Sequence, residues 1–239
     1  MVIKLPNDHE LIPHSKRPLY DIYIKGSPEK GEVGDCPFSH RTMLHMEEKG
    51  ISFNKMLIDE QNMPEWIPEV SEGNKKIPFM LELDTGKWLH DSDKIVPYLE
   101  KKFPDPKLGM PDDMPPDVGQ ELMPKCLIEF VTSKPGKEED EKRQQLEAEL
   151  KGINDHLAKG GPFFGGKDVN THDLTLAPKL KHTILAGKEI KGWSMPKEFT
   201  AINKFMEEIA KRPSWKKTMY SDKYVQDGWQ LKVKMLTQE

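Results

Sequence analysis

The sequence predicts a small α/β domain followed by an all-helical domain. Three observations carry this. Two apolar strand-like runs flank a helix-like segment near residue 40, the pattern of a crossover between parallel strands. A turn-coded pair of strands and a further helix complete a unit of roughly 85 residues. Beyond a segment with five prolines between Pro104 and Gly119, every apolar repeat has helical spacing.

Residues 1–18 are polar, contain Pro6, Pro13 and Pro18, and read as an extension. Leu19 to Lys25 alternates as a strand, with Tyr20, Ile22 and Ile24 on one face. Gly26 to Asp35 is a loop of glycine, glutamate and proline. Pro37 then stands at a first helical turn, where its missing N–H costs nothing, and the helix runs to about Lys49, with Gly50 as its C′ residue. Phe53 to Ile58 is the second strand, parallel to the first. A short helix around Pro64 to Val70 leads to a third strand, Lys76 to Leu83, and Asp84-Thr85-Gly86 turns the chain into a fourth, Lys87 to His90. Asp91 or Ser92 caps a helix whose apolar stripe is Ile95, Val96, Leu99 and Phe103. In the helical half, Leu146, Leu150, Ile153 and Leu157 form one stripe, and Ile202, Phe205, Met206 and Ile209 another. The expected divisions are 1–18, an extension; 19–104, the α/β domain; 105–119, a linker; and 120–239, the helical domain.

Composition narrows the function classes. Of 239 residues, 32% are charged and 36% hydrophobic, enough apolar material for a core under a heavily solvated surface. A net charge of −4 provides no electrostatic footprint for nucleic acid. No apolar run approaches the roughly 18 residues a membrane span needs. Two cysteines argue against a disulfide framework and fit a reducing compartment. The N-terminus carries acids and no apolar signal core, the pattern of a cytoplasmic protein, or of a chloroplast protein whose transit peptide has been trimmed. The eight histidines show no zinc spacing, so no metal is expected.

The chemistry concentrates at Gly34-Asp35-Cys36-Pro37-Phe38-Ser39. Cys36 follows a strand and opens a helix, where unpaired N–H groups and the positive end of the helix dipole favour a thiolate. Free cysteines are most often small buried hydrophobes; the strand–loop–helix context favours a reactive one. Ser39 occupies the place of a resolving cysteine, so an oxidised Cys36 needs an external thiol. His40, one turn on, is expected to be an exposed surface histidine rather than a partner of the thiolate. Cys126 has no flanking motif and reads as core. Pro78 marks a strand entry, either as an ordinary trans proline or as a cis one that turns the Ile77 backbone outward. Asp91-Ser92-Asp93 is a helix cap and, by the same N–H groups, a carboxylate site. Gly161 to Asp168 nearly matches a phosphate loop, but Asp168 replaces the magnesium-holding hydroxyl and no strand precedes it, so the run reads as a glycine-rich loop between helices. Asn170 caps the next helix, with Asp173 at its third position. Taken alone, His182 and Trp229 read as packing.

These motifs together resemble the dehydroascorbate reductases of plants and algae, within the glutathione transferase superfamily. The resemblance spans roughly residues 19 to 235 and rests on Gly34 to Ser39, Glu47-Glu48-Lys49, Lys76-Ile77-Pro78, Asp91-Ser92-Asp93, Asp173 to His182, Gly192-Trp193 and Gly228-Trp229. It implies a thioredoxin-like N-terminal domain followed by an all-helical C-terminal domain, the glutathione transferase fold. It implies Cys36 as nucleophile, Lys25, Asp35, His182 and Trp229 around dehydroascorbate, and Lys76, Ile77, Asp91 and Ser92 on glutathione. It implies glutathione as co-substrate with no tightly bound cofactor, and a monomer. Met63 stands where relatives often carry a glutathione-assisting lysine, the Lys25–Asp35 loop is about one residue short, and residues 1–18 have no clear counterpart. Two other activities share the first motif: an omega-like thiol transferase, and a channel-like or interaction module. The second would require the first helix to enter a bilayer, against the cost of His40, Arg41, His45, Glu47, Glu48 and Lys49.

Overall fold

The structure is a computed structural model and describes residues 17–73, 75–109 and 118–237. Most of the proposed N-terminal extension and the middle of the linker lie outside the described residues.

Strand β1 (Tyr20–Ser27) organises the sheet. It pairs in parallel with β3 (Phe53–Ile58), Tyr20 opposite Phe53 and Lys25 opposite Ile58. On its other side it runs antiparallel to β4 (Phe79–Glu82), which pairs with β5 (Lys87–His90). The parallel pair requires a crossover, supplied by α1 (Pro37–Glu48). Alternation along β1 sends its side chains to two cores. Tyr20, Ile22 and Ile24 pack with Met43 and Met46 of α1 and with Ile95 and Leu99 of α3 (Ser92–Lys102). Tyr23 packs the other way, with Phe79, Leu81 and Ile67 of the single-turn α2 (Ile67–Val70).

Three local expectations need correction. The Gly26–Asp35 loop contains a two-residue strand, β2 (Glu32–Val33), folded back on Gly26 and Ser27 of β1. A pair that short leaves no alternation to read. The third strand begins at Phe79 rather than Lys76, because Pro78 has no N–H to enter the ladder; the Ile77–Pro78 bond is cis. The chain after residue 119 is not helical throughout. The glycine-rich run from Gly161 forms the expected loop between α5 and α6, with a Phe163–Gly166 bridge and Gly161 and Gly166 at positive φ, and a further loop that the pattern does not announce follows Gly192.

The helical half builds one core. A π-turn segment, Leu122–Leu127, runs into α4 (Ile128–Thr132). Then come α5 (Lys137–Gly160), α6 (Thr171–Lys191), α7 (Thr200–Lys211), α8 (Pro213–Thr218) and α9 (Asp222–Thr237). The α5 stripe of Leu146, Leu150, Ile153 and Leu157 is fully inside, as are Ile202, Phe205 and Ile209; burial of each such side chain contributes about 1.5–3 kcal/mol. Cys126 lies in this core. Helix α6 begins at the Asn170–Asp173 capping box and is buried on most of its circumference, polar side chains such as Asp173, Lys181 and His182 included, as a central helix is.

Specific bonds join the halves. Glu48 of α1 accepts from Arg212 Nε at 2.6 Å and from the Ser214 hydroxyl. Within the α/β half, buried Lys49 holds the Phe103 carbonyl at 2.6 Å and pairs with Glu100, and it fixes the start of the linker through the Pro106 carbonyl at 2.8 Å. The Leu108 carbonyl accepts both the N–H and the hydroxyl of Thr171 at 2.7 Å. Helix α1 is thereby clamped against α6 and α8, which fixes its N-terminus relative to the helical half.

Candidate active site

Cys36 is the N-cap of α1, in extended conformation, with Pro37 in the first turn. Its Sγ accepts from the Ser39 N–H at 3.4 Å, and its carbonyl accepts the first helical bond from His40 at 3.0 Å. The thiol is buried, 9% exposed. Burial pushes the thiol pKa up; the Ser39 hydroxyl and N–H pull it down, Glu60 pushes it up, and the Phe38 N–H pulls it down. The net direction is upward. The capping geometry that the sequence predicts is present, and burial of the sulfur acts against it.

Asp35 and Lys25 flank the thiol. Lys25, at the end of the β1–β3 pairing, contacts Asp35 at 2.8 Å and Glu60 at 2.9 Å. Burial works against the lysine charge, but the two carboxylates more than offset it and its pKa is raised. Helix α9 closes over Asp35 at Gly228, where a β-carbon would collide with the carboxylate. The next residue, Trp229, is 3% exposed. Lys232, one turn later, lies 4.8 Å over its ring, and burial and Lys25 lower the Lys232 pKa.

Trp229 Nε1 donates to His182 Nδ1 at 3.0 Å, and His182 Nε2 lies 3.0 Å from the Tyr220 hydroxyl. Burial lowers the His182 pKa to about 4, so the ring is neutral at pH 7. His40 does not lie on the surface. It is completely buried, with Nε2 3.0 Å from the Thr218 hydroxyl and its ring against Trp215 and Tyr220. Burial, then Lys181 and His182, hold it well below the usual histidine range. Asp35 is thus shared by Lys25 and by Gly228 of α9, Trp229 beside that glycine bonds His182 of α6, and His182 feels the charges of Asp35 and Lys25.

The remaining candidates form a second group. Ile77 is buried before the cis Pro78, whose carbonyl accepts the Asp91 N–H at 3.1 Å. Asp91 caps α3 by accepting the Asp93 N–H at 2.9 Å, and its φ of 73° is uncommon for a non-glycine residue. Buried Ser92 accepts from Arg41 Nη1 at 3.3 Å, and Arg41 also pairs with Asp93. Lys76 is exposed at the start of this segment. Met63 packs beside the Tyr23–Ile67 core. A cavity of about 330 Å³ opens between α1, the start of α3 and α6, lined in part by Phe38, Arg41, Asp93, His172 and Lys179; it shares α1 with Cys36 but does not include the thiol.

Sequence reasoning missed Tyr220, Arg41 and Glu60. Each is an ordinary residue in an ordinary run, given its place by an element distant in sequence.

The N-terminal domain model of glutathione S-transferase matches residues 35–102. The chain is 38% identical to the probable glutathione S-transferase DHAR1, cytosolic, of Oryza sativa subsp. japonica, over 84% of this chain and 92% of that one. It is 37% identical to glutathione S-transferase DHAR2 of Arabidopsis thaliana, over 89% and 98%. Glutathione S-transferase DHAR3, chloroplastic, of Arabidopsis thaliana is 35% identical over 89% and 80%. Among solved structures, the Chlamydomonas reinhardtii dehydroascorbate reductase superposes with a TM-score of 0.81 at 36% identity, over 89% of this chain and 98% of that one.

Proposed function

The chain belongs to the dehydroascorbate reductases of the glutathione S-transferase superfamily, and from that premise we propose that it reduces dehydroascorbate through the single cysteine Cys36 by a ping-pong thiol cycle. Glutathione-dependent reduction of dehydroascorbate is the activity its relatives' names carry. The observation that carries the finer reading is the placement of Cys36: a helix N-cap thiol beside Lys25 and Asp35, with Ser39 one turn on and the other cysteine, Cys126, in the helical core.

In the first half-reaction the Cys36 thiolate gives two electrons to dehydroascorbate. With one water the products are the ascorbate monoanion and Cys36 sulfenic acid: the water oxygen stays on sulfur and its protons are shared between the products. A first glutathione condenses with the sulfenic acid, releasing water and leaving a Cys36–glutathione disulfide. A second glutathione thiolate attacks the glutathione sulfur, releases glutathione disulfide and restores the Cys36 thiolate. Two half-reactions sharing one enzyme form are the kinetic fingerprint of such a cycle.

Lys25 and Asp35, with His182 and Trp229 above them, form the dehydroascorbate side of the pocket in this reading. On the glutathione side, the cis Ile77–Pro78 segment offers backbone groups to the tripeptide, and Asp91 and Ser92 at the α3 N-terminus hold its charged end. Lys76 adds positive charge at the rim. No residue set for a bound cofactor is invoked; glutathione is consumed.

The test follows ascorbate by ultraviolet absorbance with glutathione and dehydroascorbate. Cys36→Ala should abolish turnover above the uncatalysed rate, and retention of activity would sink the assignment. A Cys36→Ser protein that still forms a glutathione adduct would transfer the role to Cys126. Equal rates on a glutathione mixed disulfide and on dehydroascorbate would favour a general thiol transferase.

A further inference from the structure

Lys25 ties two loops of the α/β half together. Its carbonyl accepts the Gly34 N–H at 2.8 Å, and its stem runs so close to Gly34 that a β-carbon there would meet Lys25 Cγ at 3.0 Å. Its ammonium reaches Asp35 at 2.8 Å and Glu60 at 2.9 Å. Glu60 opens the short turn Glu60–Asn62 between β3 and α2. Asp59 caps that turn, accepting the Gln61 N–H at 3.0 Å and the Asn62 amide at 2.7 Å. Asp35 is buried against Gly228 of α9, whereas the Glu60 side chain is 45% exposed.

One ammonium needs one counter-charge. Two carboxylates on Lys25 leave a surplus negative charge, and Lys232 supplies its complement from α9, where it lies over the Trp229 ring. The other ionisable groups nearby cancel or are uncharged. Lys181 pairs with Asp222 at 2.7 Å, His182 is neutral at pH 7, and burial opposes ionisation of Cys36. Lys25 and Lys232 are thus balanced by Asp35 and Glu60, two positive charges against two negative ones. The two forms of the substrate differ in the same property. Dehydroascorbate carries no ionised group at neutral pH, and ascorbate leaves as a monoanion.

We infer that Glu60 is a specificity-determining residue: its carboxylate, held on Lys25, cancels the positive charge that would otherwise retain ascorbate, so the site takes the uncharged oxidant and releases the charged product. This deepens the reading above that seats dehydroascorbate beside Lys25 and Asp35, and rests on it. No contact between Glu60 and the substrate is required, because the Coulomb interaction acts across several ångströms at a partly exposed site.

The experiment is equilibrium dialysis of radiolabelled ascorbate against the whole protein at pH 7, without oxygen, in low and in high salt. Glu60→Gln keeps the shape and an acceptor for Lys25 and removes the charge. It should bind ascorbate about threefold more tightly than wild type in low salt, and the difference should vanish near about 1 M salt, where the screening length is about 3 Å. Its KM for uncharged dehydroascorbate should stay within about twofold of wild type. Lys232→Gln, a charge change of opposite sign, should weaken ascorbate binding about threefold in low salt. A Glu60 that only braced Lys25 would give another pattern, a raised KM for dehydroascorbate with no gain in ascorbate affinity at either salt concentration. That pattern, or equal ascorbate affinity of wild type and Glu60→Gln in low salt, overturns the inference. The parent reading fails separately: a Lys25→Gln protein with unchanged KM for dehydroascorbate would remove the substrate from Lys25, and activity surviving Cys36→Ala would remove the thiol cycle.

Discussion

Gly228 of α9 lies directly against the Asp35 carboxylate, so close that a β-carbon at 228 would overlap Oδ2. The contact joins the last helix to the residue that precedes the thiol. It also explains a glycine inside α9, where it costs roughly 1 kcal/mol against alanine. Gly228→Ala should therefore lift α9 or displace Asp35 from Lys25. Overpacking of this kind costs about 1–3 kcal/mol. The expected result is a lowered Tm and a kcat/KM for dehydroascorbate reduced about tenfold or more; a fully active variant would show that the α9–Asp35 contact is dispensable.

Cys36 ionisation is a contest between burial and the groups at the α1 N-terminus, and two substitutions should move it in opposite directions. Ser39→Ala removes a hydroxyl that pulls the thiol down, so its alkylation midpoint should rise. Glu60→Gln removes a negative charge that pushes it up, so the midpoint should fall, provided Lys25 keeps its Asp35 partner. Shifts of the same sign in both variants would mean that the electrostatic assignment is wrong.

The Glu48–Arg212 pair is bidentate, joins α1 to the start of α8, and has the Ser214 hydroxyl on the same carboxylate. Burial opposes the Glu48 charge, but Arg212 and Ser214 more than offset it, and the Glu48 pKa is lowered. Arg212→Ala leaves a half-buried carboxylate unpaired. Discounted for its exposure, the loss should be about 2 kcal/mol, or about 4–8 °C in Tm. Because the folded pKa is depressed, this stabilisation is present above the unfolded glutamate value and disappears as pH falls through the folded one. The Tm difference between wild type and variant should therefore shrink in acid.

Three buried histidines and the half-buried His172 set a second acid limit. Burial holds His40 well below the usual value and takes His45, His172 and His182 to about 4. Between about pH 6.5 and 4 the unfolded chain binds protons that the folded chain refuses, so stability rises with pH in that window. Asp173 opposes this, because burial raises it to about 6 and the folded state holds its proton where the unfolded state has released it. Four histidines outweigh one aspartate. Unfolding near pH 5 should take up protons, seen as a positive slope of Tm against pH; a flat profile from pH 4 to 6.5 would contradict the buried neutral rings.

Much of the frame is visible in local pattern. The β1 alternation, the α5 stripe, the Asn170–Asp173 cap and the helix start at Cys36 each depend on neighbours within a few residues, and each forms as the pattern implies. The β2 hairpin escapes notice because two residues carry no period. His40 shows how a helix with two covered faces defeats the usual inference. Its polar side chain suggests solvent, but Thr218, 178 residues away, and the rings of Trp215 and Tyr220 enclose it.

The sequence by itself determined a cysteine at a helix start, a serine rather than a second cysteine one turn on, and the family, because these are matters of residue identity and short spacing. Tertiary structure alone decided the protonation landscape around Cys36. Whether Cys36 is a thiol or a thiolate depends on how much water α9 and the α8–α9 turn exclude, and on which donors they present. The Trp229–His182–Tyr220 chain spans 47 and 38 residues between its successive members. Only the docking of α6 against α9 and the turn before it brings these atoms to 3.0 Å, and no local pattern encodes a distance set by packing between elements.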